Sequence, residues 1–174
     1  MEHIYLEAER IVKEYDTRNP YELLDCIGAH LGVSYDYAPD GLKGFSAIFN
    51  RVMYALVNGT LDKHEQRIVA GHEAAHLILH KEEILKCPGQ TMRDFELYNE
   101  TSRLEYQANH FLADFLVSDG QVLDVAYGKE FSYFHTASEL YMPPPLLAFK
   151  LYSMMRRGLP VKTPVDLKND FLKS

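Results

Sequence analysis

The chain is organised around one stretch, Gly71-His72-Glu73-Ala74-Ala75-His76-Leu77-Ile78-Leu79-His80, which contains the pattern His-Glu-x-x-His. In a helix, residues four positions apart lie one above the other, so His72 and His76 would direct two imidazole nitrogens at one point. Two such nitrogens can bind one zinc ion. Glu73, at the edge of the same face, would then reach a zinc-bound water and act as its general base. The spacing therefore predicts a zinc hydrolase.

The residues around the motif favour this helix. Either Thr60, or Asp62 with Glu65 three residues later, supplies a helix-start signal. A stripe with helical period then runs through Ile68, His72, Ala75, His76 and Leu79, while Lys63, Glu65 and Arg67 lie off it. Histidines in an apolar stripe need polar partners, because burying them unpaired is costly. A shared metal ion would satisfy both histidines at once.

A catalytic zinc site typically has three protein ligands and one open position, so a third ligand is expected after His76. The acidic residues available are Glu82, Glu83, Asp94, Glu96, Glu100 and Glu105. A strongly amphipathic helix is predicted from about residue 100 to 117, and Glu105 lies on the flank of its apolar stripe. Spacing and helical placement favour Glu105, although chemistry does not exclude the acids of the preceding loop.

His80 is a further histidine at helical spacing, four residues after His76. Eight residues of helix would separate it from His72 by about 12 Å, so the two cannot share one ion. We therefore expect His80 to pack near the site or to lie outside the ligand set.

Composition limits the function classes. The 174 residues fit one α+β domain, and the net charge of −7 argues against broad nucleic-acid binding, which needs a basic face. No secretory signal or membrane span is visible. Cys26 and Cys87 match no metal or redox spacing and are expected to be free thiols. These features indicate a cytoplasmic protein.

The pattern along the chain predicts a mostly helical α+β fold with a short sheet before the motif helix. We expect a single domain over residues 1–160, followed by a tail over 161–174. Its parts are N-terminal helices and a small sheet (1–60), the zinc-binding helices (61–117) and C-terminal helices (118–160). Within them we expect a second helix that reaches Leu31 and ends at Gly32, then a strand from Val33 to Tyr37. A hairpin over 45–57 and an irregular loop over 81–99 follow.

The C-terminal helices resemble a helix-turn-helix and carry Lys150, Arg156 and Arg157. Two short packed helices are more often scaffold, and the acidic chain agrees with that interpretation. Direct DNA contact is therefore not expected.

Two runs of the sequence together resemble the ImmA/IrrE metallopeptidase family. They are Ala70-Gly71-His72-Glu73-Ala74-Ala75-His76-Leu77-Ile78-Leu79-His80 and Leu104-Glu105-Tyr106-Gln107-Ala108-Asn109-His110-Phe111-Leu112-Ala113. The family shows His-Glu-x-x-His, then after about thirty residues Glu-x-x-x-Asp/Asn followed by Phe-Ala. Lys43-Gly44-Phe45 before the hairpin is also similar. The resemblance covers roughly residues 20–160. The sequence departs from the family at Leu112, where Ala is usual, and at Ser118-Asp119, where Met-Pro is common.

The resemblance implies a small thermolysin-like (minimal gluzincin) zinc peptidase. His72, His76 and Glu105 would bind Zn²⁺, and Glu73 would be the general base. Asn109 stands where the family has Asp or Asn, and it would accept a hydrogen bond from a ligating histidine and fix its tautomer. Asn carries no charge, so it would raise the basicity of that histidine less than Asp would.

The resemblance also implies a biological role. The protein substrate would be a regulatory protein, most plausibly a helix-turn-helix (Xre-type) repressor, cut to relieve repression in a bacterium, phage or mobile element. The alternative is a zinc-containing binding module without proteolytic activity, which grips a transcription factor or forms the antitoxin-like half of a toxin–antitoxin pair. An intact Glu73 favours the enzyme, because a structural zinc site has no use for a base. The oligomeric state is not predicted.

Overall fold

The computed structural model describes residues 2–94, 98, 102–128 and 132–161. Its helices are α1 (Glu2–Tyr15), α2 (Pro20–Cys26), α3 (Lys63–Leu79), α4 (Lys81–Lys86), α5 (Arg103–Leu116), α6 (Asp119–Gly128), α7 (Tyr133–Glu139) and α8 (Pro144–Arg156). Its strands are β1 (Ala29–Ser34), β2 (Gly44–Phe49), β3 (Val52–Asn58) and β4 (Thr91–Asp94). The predicted α+β class, mostly helical with a small sheet before the motif helix, is confirmed. The predicted tail lies outside the described residues from 162 onward.

The chain divides into two compact units. The motif unit is Val12–Ala108, and the terminal unit combines Met1–Ile11 with Asn109–Ser174. Both boundaries fall within helices, α1 and α5. The assignment of residues 1–160 to a single domain stays a prediction.

The sheet of the motif unit has the strand order β1-β3-β2-β4. β1 runs parallel to β3, and β2 is antiparallel to both of its neighbours. The predicted hairpin is confirmed as β2 and β3, joined by Asn50 and Arg51 with φ of 49° and 66°. Positive φ at both turn residues matches the right-handed twist of the flanking strands. β4 pairs with the free side of β2 and thus forms the edge of the sheet on that side.

Two stretches differ from the sequence prediction. The helix expected to reach Leu31 ends at Cys26, and Gly28, at φ 72°, turns the chain into β1. β1 starts earlier than the expected strand because its backbone hydrogen bonds come from parallel pairing with β3. The expected loop after the motif helix contains α4 and β4 instead. Both strands depend on partners distant in sequence, which local periodicity does not reveal.

The motif helix α3 begins directly after the sheet. Its N-cap is Asp62, whose side chain accepts a hydrogen bond from the backbone N–H of Glu65 at 2.8 Å. From Ile68 to Leu77 every residue is buried, so the middle of α3 is enclosed on all sides and has no exposed polar face. α2 and the strands β2 and β3 pack against it. The histidine pair is therefore held on a rigid, fully packed element.

The terminal unit contains a buried charge cluster on α5, α6 and α8. Lys150 is fully buried, and its Nζ lies 2.9 Å from Asp114 Oδ1 and 2.8 Å from Asp119 Oδ1. Arg157 donates to Asp119 at 2.6 Å, and its guanidinium lies 3.4 Å from the ring centre of Tyr5. Lys150 and Arg157 are thus engaged in ion pairs inside their own unit.

Candidate metal centre

His72 and His76 converge as the helical spacing predicts. Both side chains are completely buried, and their Nε2 atoms lie 3.0 Å apart. They stand four positions apart in α3, so the two imidazoles lie on one face of the helix in an edge-to-face arrangement, with ring centres 4.7 Å apart. Both nitrogens therefore point at one spot in the motif unit.

Glu105, in the first turn of α5, completes the group. Its Oε2 lies 3.0 Å from His72 Nε2, and its Oε1 lies 3.4 Å from His76 Nε2. Burial alone would raise the pKa of Glu105, but hydrogen bonds and charge interactions with the two histidines outweigh burial and lower it well below its usual range. The carboxyl group is therefore ionised at neutral pH, which is the state that binds a metal ion.

The donor set and its spacing fit zinc. Among the described residues, the group of three or more possible ligands that could hold a metal ion is His72, His76 and Glu105. Zinc–ligand bonds of roughly 2.0–2.1 Å in a tetrahedral site place ligand atoms roughly 3.3 Å from one another. The observed separations of 3.0 to 3.4 Å match this requirement. Two histidines with one glutamate leave a fourth position open, as catalytic zinc sites do.

Glu73 lies next to the motif histidines but outside this ligand group. Its side chain is completely buried, and strand β2 passes close to it at Gly44. A Cβ atom on Gly44 would lie 2.5 Å from Glu73 Oε1, closer than real side-chain contacts come. The carboxylate of Glu73 thus occupies space that only a glycine leaves open.

Of the other acidic candidates, Glu82 and Glu83 do not join the group. Glu82 and Glu83 lie on α4, and the Glu82 side chain is 87% exposed. Asp94 belongs to β4, whereas Glu96 and Glu100 fall outside the described residues. Of the candidates whose side chains are described, Glu105 is the one that the fold brings to the histidines.

Asn109 is placed one helical turn after Glu105 on α5 and is fully buried. Its side-chain amide makes no hydrogen bond within the described part of the chain. A buried amide without a partner is unusual, because leaving it unpaired costs free energy. The expected bond from Asn109 to a ligating histidine stays a prediction.

Two further residues, His80 and Gln107, lie beside the ligand group. His80 Nδ1 lies 3.0 Å from His76 Nδ1, and His80 Nε2 lies 3.1 Å from Gln107 Oε1. Burial, followed by the nearby His76, lowers the pKa of His80 to about 4, so this imidazole is neutral at neutral pH. The spacing of His80 from His76 pointed to a location near the site, but nothing in the sequence pointed to Gln107.

Comparison with known proteins places the chain in a family. The IrrE N-terminal-like domain family of peptidases matches residues 29–152, which include the whole ligand group. The chain is also 28% identical over 112 residues to the uncharacterized immunity region protein 2 of Bacillus phage phi105. That match covers 64% of this chain and 66% of the phage protein, slightly less than two thirds of its length. No solved structure matches the chain, and no described helix is long and apolar enough to span a membrane.

The family match covers most of the chain, and the resemblance inferred from the paired motifs names the same family. The chain belongs to the IrrE N-terminal-like (ImmA/IrrE) family of metallopeptidases.

Proposed function

We propose that the protein is a zinc-dependent metallo-endopeptidase, with its catalytic domain over residues 1–160. The observation that carries this proposal is the convergence of His72, His76 and Glu105 within 3.4 Å beside the buried Glu73. A site that served only to hold the fold together would need no carboxylate next to an open coordination position.

Each residue has a definite role in this proposal. Zinc held by His72, His76 and Glu105 would polarise the scissile carbonyl and make a water acidic enough to lose its proton near pH 7. Glu73 takes that proton as general base and delivers it to the leaving amine. Burial holds Glu73 in one orientation, which spares the cost of ordering it during the reaction. Asn109 would fix the tautomer of a ligating histidine through its side-chain carbonyl.

The proposed substrate is a regulatory protein, a helix-turn-helix repressor whose cleavage relieves repression in the bacterial cytoplasm. Three observations support it. The family match indicates a metallopeptidase, and the similar phage protein is named for an immunity region. β4 is an edge strand of the sheet and pairs with β2, the strand whose Gly44 approaches Glu73. A sheet edge offers backbone groups to an extended substrate chain.

The test is cleavage of a candidate helix-turn-helix (Xre-type) repressor taken from the genome that encodes this protein, with intact mass measured for both proteins. Zinc-loaded wild type should cut the repressor at a single site. Glu73→Gln should bind zinc equally well but cut the repressor about 100- to 10,000-fold more slowly, since it lacks the general base. Glu82→Gln is the matched control, because it removes an exposed carboxylate outside the ligand group.

Two results would contradict the proposal. Cleavage by Glu73→Gln at the wild-type rate would remove Glu73 from the reaction. A zinc-loaded wild type that binds the repressor and leaves it intact would favour the binding module without proteolytic activity.

A further inference from the structure

Three buried or half-buried side chains form a hydrogen-bonded chain that starts at the metal centre. His76 Nδ1 contacts His80 Nδ1 at 3.0 Å, and His80 Nε2 contacts Gln107 Oε1 at 3.1 Å. His76 is fully buried and His80 is 2% exposed, so water cannot easily take the place of either contact. All three residues belong to the motif unit.

The positions of the protons in this chain follow from its geometry. A neutral imidazole carries one N–H and one unprotonated nitrogen. His76 Nε2 lies in the ligand group and must be unprotonated to bind a metal ion, so in the metal-loaded protein the proton of His76 is on Nδ1. The 3.0 Å contact between two Nδ1 atoms needs one donor and one acceptor, which makes His80 Nδ1 the acceptor. His80 then carries its proton on Nε2 and donates it to Gln107 Oε1.

We propose that His80 and Gln107 are positioning residues that fix the tautomer of His76 and so present its Nε2 lone pair to the metal ion. The proposal rests on the metal site of the proposed function and adds a second set of residues to it. Gln107 fixes the tautomer of His80, and His80 in turn fixes that of His76. Neither residue touches the metal ion.

The backbone explains why this arrangement is available. His80 follows the last residue of α3 and precedes the first residue of α4, with φ −123° and ψ 27°. Four residues after His76, it still lies on the same side of the helix, and the ring centres are 5.1 Å apart. Gln107 stands two residues after Glu105 on α5, so one helix supplies both a metal ligand and the last member of the chain. Packing alone would not require an acceptor at Nδ1 and a donor at Nε2.

The first experiment reads the tautomers directly. Long-range ¹H–¹⁵N correlation spectra of the zinc-loaded wild type distinguish Nδ1–H from Nε2–H for each histidine ring. We expect His76 as the Nδ1–H tautomer and His80 as the Nε2–H tautomer. In Gln107→Leu, the Nε2–H population of His80 should fall. A wild-type His80 that carries its proton on Nδ1 would overturn the proposal.

The second experiment measures the zinc dissociation constant by competition with a chelator. His80→Leu should weaken zinc binding about 10- to 100-fold, as is typical when the partner of a ligating histidine is lost. His80→Gln keeps an acceptor oxygen and should recover most of that affinity. His110→Leu removes a buried histidine that packs on Phe149 in the terminal unit, and it should leave zinc affinity unchanged.

The results separate this proposal from the proposed function. Equal zinc affinity in His80→Leu, His80→Gln and wild type would overturn the positioning role and leave the peptidase proposal standing. A wild type that binds zinc and shows the expected tautomers but never cleaves the repressor would support the positioning role and contradict the peptidase.

Discussion

At the scale of single residues, Gly44 defines the position of Glu73 because it has no side chain. A Cβ on Gly44 would meet Glu73 Oε1 and Val69 Cγ1 at 2.5 Å and the backbone oxygen of Leu56 at 2.8 Å. The backbone of Leu56 cannot move without disturbing the sheet, so the added atom would displace Glu73 and Val69. Gly44 therefore sets how closely β2 approaches the carboxylate.

This contact gives a prediction for Gly44→Ala. The variant should keep its zinc and lose at least about tenfold in cleavage rate, because a shift of the base by about 1 Å is costly for the reaction. Overpacking should also lower the free energy of unfolding by about 1–3 kcal/mol. Cleavage assays on the folded, zinc-loaded protein check the first effect, and urea denaturation checks the second.

The matched control is Gly32→Ala on β1, where an added Cβ would have its nearest contact at an ordinary 3.7 Å. If Gly44→Ala and Gly32→Ala cleaved the repressor equally fast, Gly44 would not position Glu73.

At this scale, some residues of the site could be predicted from the sequence and others could not. His72 and His76 follow from one helical spacing, and the fold brings Glu105 to them as the spacing favoured. Gly44 and Gln107 come from other elements, β2 and α5, so their contacts depend on packing between segments distant in sequence. Such contacts leave no periodic signal in a single sequence.

At the scale of elements, α3 begins at a side-chain N-cap and is buried on all sides along residues 68–77. The Asp62 N-cap was one of two starts that the sequence allowed, and the structure selects it through the 2.8 Å bond to Glu65. The enclosure of residues 68–77, the early start of β1 and the strand β4 were not predicted, because each depends on burial or pairing against remote segments. The start of α3 is thus specified locally, whereas the strand partners are specified only through the tertiary fold.

The N-cap gives a prediction at this scale. Asp62→Ala should lower the free energy of unfolding by about 1 kcal/mol, because one backbone N–H in the first turn of α3 loses its acceptor. Zinc stoichiometry should not change, since His72 and His76 lie about three and four turns further along α3 and Glu105 lies on α5. Urea denaturation checks the stability, with Asp40→Ala at an exposed loop position as control. Equal stability of Asp62→Ala and wild type would show that the cap does not support α3.

At the scale of the whole molecule, the chain is acidic, with a net charge of −7, yet it buries a charge cluster around Lys150 in the terminal unit. Burial alone would raise the pKa of Asp119, but hydrogen bonds and charge interactions with Arg157 and Lys150 lower it to about 2. Burial also raises the pKa of Asp114, against the opposing influence of Lys150. The two carboxyl groups therefore affect the dependence of stability on pH in opposite directions.

Comparison of wild type with Asp119→Asn isolates the contribution of Asp119 to the stability. The folded pKa of Asp119 is depressed, so its stabilisation is present above about pH 4 and is lost as the pH falls toward 2. At neutral pH, the free energy of unfolding of wild type should exceed that of Asp119→Asn by about 1–2 kcal/mol, with allowance for solvent screening of a partly exposed carboxyl group. Unfolding free energies measured between pH 7 and pH 2 should show this difference shrinking below pH 4. A constant difference across the range would contradict the assignment.

The most direct test of the account is the zinc stoichiometry of the purified protein, measured by native mass spectrometry under conditions that spare weakly bound metal. We predict one zinc ion per chain in wild type and in Glu82→Ala, and little or none in Glu105→Ala, because the third ligand is lost. Equal zinc in Glu105→Ala and wild type would contradict the ligand assignment. A wild type that takes up no zinc would contradict the metal centre and, with it, the proposed peptidase.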